Sequence, residues 1–250
     1  MSTSLSTTFQ TAVVTGASRG FGRAIAAALV AADTGVVGIA RGEQELRAVR
    51  DELGERFVPV AADATDDALA RDVIAEHRPG LLVLNAGVSP LMAPVHEQTW
   101  ESFSRNWNND TRHVFAWVRA ALRAPLAPGS VVVAMSSGAA LAGSPGSGGY
   151  ASAKAAIRYI RGYAADESTR AGLDLRFVAL LPHLTPATTL GAAGVAGYAA
   201  RNGVTPDAFA EGLAPILTPE QVAKAVVEIA GDPGSAAEYQ VNGAGLRPIG

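Results

Sequence analysis

The chain has 250 residues, a formal net charge of −3 and no cysteine. The lack of cysteine excludes disulfides and thiolate chemistry, and the slight acidity argues against non-specific binding of nucleic acid. No apolar run approaches the roughly 20 residues of a membrane span, and the polar start MSTSLSTTFQ is not typical of a secretory signal, so we expect a cytoplasmic protein.

Short apolar stretches alternate along the chain with longer, alanine-rich segments of helical character. The predicted strands are residues 11–15, 35–40, 56–62, 81–87, 130–137, 174–181 and 238–242. The predicted helices are residues 20–32, 43–53, 66–77, 99–124, 150–171 and 219–230. Most strands are continuously apolar, which indicates a parallel sheet covered on both faces. The pattern predicts one doubly wound α/β domain over residues 1–250, with a seven-stranded, mostly parallel sheet of the Rossmann type.

A glycine-rich turn follows the first predicted strand. Its sequence, TGASRGFG, has glycines at positions 16, 20 and 22. Between a strand and a helix, such a turn presents backbone N–H groups and the positive end of the helix to a phosphate. Gly16 allows a tight turn, Gly20 allows the backbone to approach closely, and Gly22 allows the helix to pack on the sheet. The turn is not a P-loop, because no Gly-Lys-Ser/Thr ends it.

Two further patterns lie downstream. The fourth predicted strand ends in Asn-Ala-Gly at residues 85–87, and the helix that begins at residue 150 opens with YASAK. Tyr150 and Lys154 are four residues apart, so their side chains share one face of a helix. The same spacing also occurs on solvated helices, and alone it does not distinguish a catalytic pair from two surface residues.

Taken together, the glycine turn, NAG and YASAK resemble the short-chain dehydrogenase/reductase family, in its order and spacing from Thr11 to about Gly245. The resemblance implies that Tyr150 and Lys154 are catalytic. It also matches Ser137, thirteen positions before Tyr150, to the family's catalytic serine. The residues that it implies for cofactor binding are Gly16, Ser18, Arg19, Gly20, Phe21, Gly22, Arg41, Asp63, Ala64, Asn85, Ala86, Gly87, Tyr150, Lys154, Pro182 and Thr185.

The family binds NAD or NADP, and the end of the second strand distinguishes them. That strand ends GIAR, so Ala40 stands where NAD-preferring relatives carry an aspartate, and Arg41 follows. Arg19 in the glycine turn is a second cation, and two cations favour the extra phosphate of NADP(H) over NAD(H), unless both are ordinary surface arginines. Asp63 resembles the aspartate that contacts the adenine amino group, and it could also cap the helix that begins near Asp66.

The resemblance also implies a reaction. Reduction of a carbonyl group by hydride develops an alkoxide that needs a proton, and a free phenol, with a pKa of about 10, is an acid at neutral pH. The Lys154 ammonium stabilises the phenolate of Tyr150 and, by resemblance, holds the nicotinamide ribose, while Ser137 hydrogen-bonds the carbonyl oxygen. We therefore expect an NADPH-dependent ketoreductase that acts on a ketone or an aldehyde and runs in reverse as an alcohol dehydrogenase. The alternatives are a C=N or C=C reductase, an epimerase, or an NADP(H)-sensing protein with reduced turnover.

One departure from the family's pattern lies in the helix after NAG. Most members carry an asparagine there, thought to bend the helix and to hold a water that leads to the lysine. The sequence NWNNDTRHVFAWVRAAL places Asp110 at that position, or Asn109 if the register shifts by one residue. A carboxylate at this position would strengthen the ammonium form of Lys154.

A second departure follows the sixth predicted strand. After Pro182, His183 replaces the family's usual glycine, and Thr185 or Thr188 takes the place of the threonine that seats the nicotinamide amide. His183 lines the pocket or lies in a surface turn. The other histidines, at positions 77, 96 and 113, are expected on helix or loop surfaces, and no zinc site is expected.

Residues 182–218 are rich in glycine, alanine, proline and threonine, fit no strand and show only weak helical periodicity. A long insertion at the C-terminal end of a strand is typical of a substrate lid. The lid and residues 88–94 and 138–146 are nearly free of charge, which favours a small, neutral carbonyl or alcohol substrate. The family usually forms tetramers through the helices after strands four and five, so we expect a homotetramer, with a dimer as the alternative.

Overall fold

The computed structural model describes residues 9–124 and 126–249, so most of the polar N-terminal start lies outside the described residues. Within them, eight strands form one sheet in the order β3-β2-β1-β4-β5-β6-β7-β8. The strands are β1 (Thr11–Thr15), β2 (Gly35–Ala40), β3 (Phe57–Ala61), β4 (Leu81–Leu84), β5 (Val131–Met135), β6 (Arg176–Pro182), β7 (Glu238–Asn242) and β8 (Gly245–Pro248). Strands β1 to β7 are parallel, and β8 is antiparallel to β7. The predicted α/β fold with a mostly parallel sheet is confirmed.

Helices cover both faces of the sheet. They are α1 (Gly20–Ala31), α2 (Glu43–Leu53), α3 (Asp67–His77), α4 (Trp100–Asn106), α5 (Arg112–Arg123), α6 (Ala139–Ala142), α7 (Tyr150–Ala171), α8 (Thr189–Asn202), α9 (Pro206–Glu211) and α10 (Pro219–Gly231). One core contains side chains of α1, α2 and α10, and the other contains side chains of α3, α5 and α7. Burial on both faces explains why the central strands β1, β4, β5 and β6 are almost continuously apolar. No helix in the described ranges is long and apolar enough to cross a membrane.

The predicted count of seven strands is one short. The additional strand, β8, has only four residues, GLRP, and most of it is exposed. No apolar pattern marks such a segment. It forms because the chain turns back at residues 243–244 and pairs with β7 at the edge of the sheet.

The predicted helix over residues 99–124 is interrupted. Helix α4 ends at Asn106, a π-helical turn spans Trp107–Thr111, and α5 continues from Arg112. A π turn accommodates an extra residue and often occurs at functional sites. Here it buries the side chains of Asp110 and Thr111.

The segment over residues 182–218 is more helical than expected. Pro182 is the last residue of β6, and α8 and α9 lie within the segment. The side chain of Thr188 caps α8, and that of Thr205 caps α9. The helices lack a strong apolar stripe because α8 consists largely of glycine and alanine, which explains the weak periodicity.

Candidate active site

A cavity of about 910 Å³ opens where the parallel strands end. In doubly wound sheets, ligands bind at this edge. All but one of the residues predicted for the site line the cavity, and the exception is Gly22. The lining set comprises Gly16, Ser18, Arg19, Gly20, Phe21, Arg41, Asp63, Ala64, Asn85, Ala86, Gly87, Asn109, Asp110, Ser137, Tyr150, Lys154, Pro182 and Thr185.

The glycine turn joins β1 to α1 in a conformation that needs glycine. Gly16 has a φ of +68° and Gly20 a φ of +54°. Gly22 lies beneath the turn, where an added Cβ atom would be 2.1 Å from the carbonyl oxygen of Gly16. Arg19 is the N-cap of α1, and its side chain makes no capping hydrogen bond. The first amide groups of α1 are thus left for a ligand in the cavity, and a phosphate is the group that suits them.

Thr15, which sequence reasoning did not single out, connects the glycine turn to the Asn-Ala-Gly segment. Its hydroxyl oxygen accepts hydrogen bonds from the amide groups of Asn85, at 2.9 Å, and Ala86, at 3.1 Å. The side-chain amide of Asn85 donates to the carbonyl oxygen of Thr15 at 3.0 Å. The two segments meet because β1 and β4 are neighbours in the sheet although they are far apart in sequence.

Lys154 lies in the second turn of α7 and is almost fully buried. Its ammonium nitrogen is 3.3 Å from Oδ2 of Asp110, 3.2 Å from the carbonyl oxygen of Met135, and 5.7 Å from the centre of the Tyr150 ring. An ammonium has three N–H groups, so two are engaged and one remains for the cavity. The helix thus holds the charge of Lys154 beneath the phenol of Tyr150.

The charge of Lys154 depends on its carboxylate neighbour. Burial alone lowers the pKa of Lys154, but the Asp110 carboxylate and Tyr150 oppose this effect, and the net result is a pKa above the ordinary value. Asp110 is fully buried and also accepts a hydrogen bond from the amide of Val88 at 3.0 Å. Lys154 is therefore charged at neutral pH.

The structure brings Asp110, and not Asn109, to Lys154. The side-chain amide of Asn109 donates to the carbonyl oxygen of Arg105 at 2.8 Å, within its own helix. Both residues line the cavity, but only Asp110 contacts the ammonium. The π turn sets this register, which sequence reasoning had left open between the two residues.

Ser137 follows β5 and lies half-buried on the cavity wall. Its hydroxyl oxygen accepts a hydrogen bond from the amide of Ala139 at 3.2 Å, which leaves its proton free to be donated. The adjacent Ser136 is buried and donates to the carbonyl oxygen of Lys154 at 2.8 Å. The first serine can therefore act on a ligand, while the second anchors α7 to the sheet.

Two exposed arginines stand at the far end of the cavity. Within the described part of the chain, neither Arg19 nor Arg41 forms an ion pair at 4.0 Å or less. The Glu45 carboxylate lies over Gly42 on the same side, so the local charge of the three side chains is positive. This end of the cavity is suited to an anionic group.

Asp63 follows β3 and is oriented by Thr65. Its carboxylate accepts hydrogen bonds from the Thr65 amide and hydroxyl, both at 2.9 Å. The hydrogen bond from the backbone amide of Thr65 lowers the pKa of Asp63, and the positive charge of Arg41 adds to the effect. The alternative role for Asp63 as a helix cap is wrong, because Asp66 caps α3 by accepting from the amide of Ala68 at 2.8 Å.

Both threonines after Pro182 line the cavity. Thr185 is buried and donates to the carbonyl oxygen of Leu217 at 2.5 Å, whereas Thr188 caps α8 through the amide of Gly191 at 3.1 Å. His183 also lines the cavity and is half-buried, which lowers its pKa, with Arg247 adding to the effect. His183 is therefore a pocket residue and not a surface-turn residue.

The wall opposite the sheet consists of residues that sequence reasoning placed only loosely. Tyr198 of α8 hydrogen-bonds to Ser144 and stacks on Phe209 of α9, with ring centres 6.1 Å apart. Met92 packs against Gly197 of α8. A Cβ atom added to Gly197 would be 2.7 Å from the methyl group of Met92. An aromatic residue in a glycine- and alanine-rich helix was the available signal for Tyr198.

The expectation that His113 lies on a surface is wrong. Its side chain is buried in α5 and lines the cavity, because Asp110, His113 and Trp117 share one face of the π turn and the helix that follows. In the described ranges, no group of three or more histidine, aspartate or glutamate side chains is arranged to hold a metal ion.

Comparison with known proteins identifies relatives over most of the chain. Residues 10–194 match the family model described as short chain dehydrogenase. The chain is 31% identical over 183 residues to 3-oxoacyl-(acyl-carrier-protein) reductase FabG of Escherichia coli (strain K12), covering 67% of this chain and 71% of the relative. It is 33% identical over 233 residues to cis-4-hydroxycyclohexanecarboxylate dehydrogenase of Sinomonas cyclohexanicum, covering 90% of each.

A solved structure has the same fold. It is the crystal structure of 3-ketoacyl-(acyl-carrier-protein) reductase from Brucella melitensis complexed with NADH, with a TM-score of 0.77. The superposition covers 94% of this chain and 97% of that chain at 22% sequence identity. At this identity, the similarity establishes the fold alone.

Proposed function

This chain belongs to the short-chain dehydrogenase family and is an oxidoreductase, and on that premise we propose that it uses NADPH to reduce a ketone or an aldehyde to an alcohol. The reaction is reversible. The observation that carries the proposal is the buried Lys154 ammonium beneath Tyr150 on the cavity wall. The names of the two relatives point the same way, since one is a reductase of a 3-oxo group and the other a dehydrogenase of a hydroxyl group.

The residues at the end of β5 and the start of α7 move the proton. Tyr150 gives its phenolic proton to the oxygen of the substrate, and the Lys154 ammonium stabilises the phenolate that forms. The Ser137 hydroxyl donates to the same oxygen and stabilises its negative charge. Asp110 keeps Lys154 protonated. When bound, the nicotinamide cofactor supplies the hydride.

The residues present fit a dinucleotide. The diphosphate needs a close backbone approach, and the two positive-φ glycines and the uncapped start of α1 provide it. The residues that would hold the cofactor are Gly16, Ser18, Arg19, Gly20, Phe21, Arg41, Asp63, Ala64, Asn85, Ala86, Gly87, Tyr150, Lys154, Pro182 and Thr185. Gly22 acts from below by letting α1 pack close to the turn.

The preference for NADP(H) rests on Arg19 and Arg41. A 2′-phosphate adds negative charge, and two unpaired guanidinium groups outweigh the single carboxylate of Glu45. Ala40 offers no carboxylate to bind a free ribose hydroxyl. The fold neighbour was solved with NADH, so the argument for this chain depends on its own arginines.

We assign the segment over residues 182–218 to a lid over the substrate. The wall formed by Met92, Tyr198 and Phe209 is apolar apart from the Tyr198 hydroxyl, which is bonded to Ser144. A neutral ketone would be bound there by apolar contact and oriented by Ser137 and Tyr150.

The experiment measures kcat/KM for a panel of aromatic and aliphatic ketones with NADPH and with NADH. We expect NADPH to be preferred about 10- to 100-fold, since a charge-assisted hydrogen bond contributes about 1.5–3 kcal/mol. Replacing Tyr150 by Phe should lower kcat by about 10²- to 10⁴-fold. Turnover with NADH alone would overturn the cofactor assignment. A Tyr150→Phe variant with unchanged turnover would overturn the mechanism.

A further inference from the structure

The cavity contains a buried histidine that the proposed reaction does not use. His113 is only 1% exposed, and neither ring nitrogen makes a hydrogen bond of normal distance and angle among the described residues, although the backbone of Ala86 lies close enough to raise the pKa of the ring. Burying a polar group without a partner costs free energy, and such groups are rare in folded proteins. A partner supplied by the ligand of the cavity would remove this cost.

The surroundings of His113 indicate which part of a ligand it faces. The backbone of Ala86 lies next to the ring, and the charges of Lys154 and Asp63 both act on it. Trp117, one turn further along α5, packs edge-on to His113 and donates to the carbonyl oxygen of Ala64 at 2.9 Å. His113 is therefore next to the Asn-Ala-Gly segment and, through Trp117, close to the loop that carries Asp63 and Ala64.

The protonation state of His113 defines its hydrogen bonds. Burial lowers its pKa to about 3, and the Lys154 ammonium adds to the effect. The imidazole is therefore neutral at neutral pH, with one nitrogen that donates and one that accepts. Such a ring suits the hydroxyl groups and ring nitrogens of a nucleoside, which also donate and accept, better than it suits a phosphate, which only accepts.

We propose that His113 is a cofactor-positioning residue that hydrogen-bonds the adenosine half of the bound dinucleotide. The proposal rests on the proposed function, because it takes the cavity to be a dinucleotide site. The proposal assigns to His113 a role in adenosine binding that is separate from the proton-transfer role of Tyr150, Lys154 and Ser137.

The test measures the dissociation constant of 2′,5′-ADP by calorimetry for the wild-type protein and His113→Leu. Leucine removes both nitrogens and fills a similar space. We expect binding of 2′,5′-ADP to weaken about tenfold, while reduced nicotinamide mononucleotide binds as before. Without ligand, His113→Leu should unfold at a higher temperature, because an unpartnered polar group has been replaced by an apolar one. A histidine with only a structural role would not give both results, weaker binding of 2′,5′-ADP and a higher unfolding temperature, in the same variant.

Two further variants sharpen the comparison. His113→Gln keeps a donor and an acceptor, so it should recover part of the lost affinity. Thr34→Val is the matched control, because Thr34 also has a buried oxygen without a partner in the described chain but does not line the cavity. Thr34→Val should leave 2′,5′-ADP affinity unchanged.

A crystal structure of the wild-type protein with 2′,5′-ADP tests the contact without any substitution. We expect one ring nitrogen of His113 within about 3.2 Å of a nucleotide atom. Equal affinities for wild type and His113→Leu, or a ring that bonds only to water, would overturn this inference and leave the proposed function standing. Failure of the wild-type protein to bind either 2′,5′-ADP or NADPH would overturn both.

Discussion

The Asp110 carboxylate and the Lys154 ammonium form an ion pair at the centre of the site, 3.3 Å apart and shielded from solvent. Removing one member of a buried pair leaves an uncompensated charge, so the protonation states of the two groups are linked. Members of the family usually have an asparagine at this position. Its side-chain oxygen could accept the hydrogen bond from the amide of Val88, but it carries no negative charge to compensate that of Lys154. The carboxylate of this chain extends the pH range over which Lys154 stays protonated.

Replacing Asp110 by Asn should shift the alkaline side of the pH–rate profile. The amide oxygen of asparagine can still accept from Val88, but the negative charge that raises the pKa of Lys154 is gone and burial lowers it. Lys154 then loses its proton at lower pH, and we expect the alkaline limb of kcat/KM to move down by about 1–3 pH units. The measurement is kcat/KM against pH for both proteins.

Asn109→Ala is the comparison variant for this prediction. Asn109 bonds to the carbonyl oxygen of Arg105 and does not contact Lys154, so its loss should leave the alkaline limb in place. If Asp110→Asn and the wild-type protein shared one alkaline limb, the carboxylate would not control the charge of Lys154.

At the scale of elements, the glycine turn depends on close packing beneath it. A Cβ atom on Gly22 would lie 2.1 Å from the carbonyl oxygen of Gly16 and 2.6 Å from the side-chain nitrogen of Asn85. Both neighbours belong to cavity-lining segments, and neither can retreat without moving the turn or the Asn-Ala-Gly segment. A residue outside the cavity thus sets the shape of the glycine turn that lines one end of it.

Gly22→Ala should therefore lower both stability and nucleotide affinity. Crowding of this kind costs about 1–3 kcal/mol, which we expect in the free energy of unfolding measured with denaturant. Binding of 2′,5′-ADP should weaken in the same variant. Gly231→Ala is the control, since no atom approaches a Cβ there and α10 should keep or gain stability. Unchanged unfolding and binding for Gly22→Ala would show that the turn tolerates the methyl group.

The elements that could be predicted from the sequence are those with a continuous apolar pattern. Strands β1, β2, β3, β5, β6 and β7 lie within two residues of their predicted limits. In β1, β2, β5 and β6, burial on both faces leaves a plain signature. The π turn could not be predicted, since it is formed by tertiary contacts of Asp110 with Lys154 and Val88 and not by local propensity. β8 was missed because its only pairing partner is β7, at an edge with little burial.

The site could be predicted where residues adjoin glycine turns or strand ends, and not where the fold brings together distant segments. Thr15 and Asn85 meet only because β1 and β4 are neighbours. His113 was expected on a surface but is buried, because the sequence of one helical turn does not indicate which face of the helix packs on the sheet. Sequence reasoning thus found the chemical groups of the site more readily than the residues that support them.

At the scale of the whole molecule, one surface carries unusually many exposed aromatic side chains. Tyr159 and Tyr163 of α7 are 65% and 64% exposed, and Phe115 of the neighbouring α5 is 53% exposed. Exposed apolar clusters on single chains mark interaction surfaces, and aromatic residues are enriched in the centre of interfaces. Gly162 lies between the two tyrosines, and no atom of the described chain would approach a Cβ there. Glycine destabilises a helix, and no neighbour in the described chain requires glycine at this position. Close approach of another chain would explain its presence.

The family resemblance predicts a homotetramer, or a dimer, and we propose this surface as one of the contacts between its chains. The inner faces of the same two helices carry Lys154 and His113, so association on their outer faces would also brace the site. We expect Tyr159→Glu combined with Tyr163→Glu to dissociate an oligomer formed through this surface, because the two substitutions would bury two carboxylates in the interface. The measurement is the molar mass in solution by light scattering, together with kcat.

The control for this prediction is Val58→Glu, which places one carboxylate on the exposed edge strand β3, away from α5 and α7. It should leave the molar mass unchanged. Dissociation of the double variant with a parallel loss of kcat would indicate that association supports the helices that hold Lys154. A double variant with the wild-type mass would exclude this surface as the contact between chains, and a wild-type mass of one chain would exclude the tetramer itself.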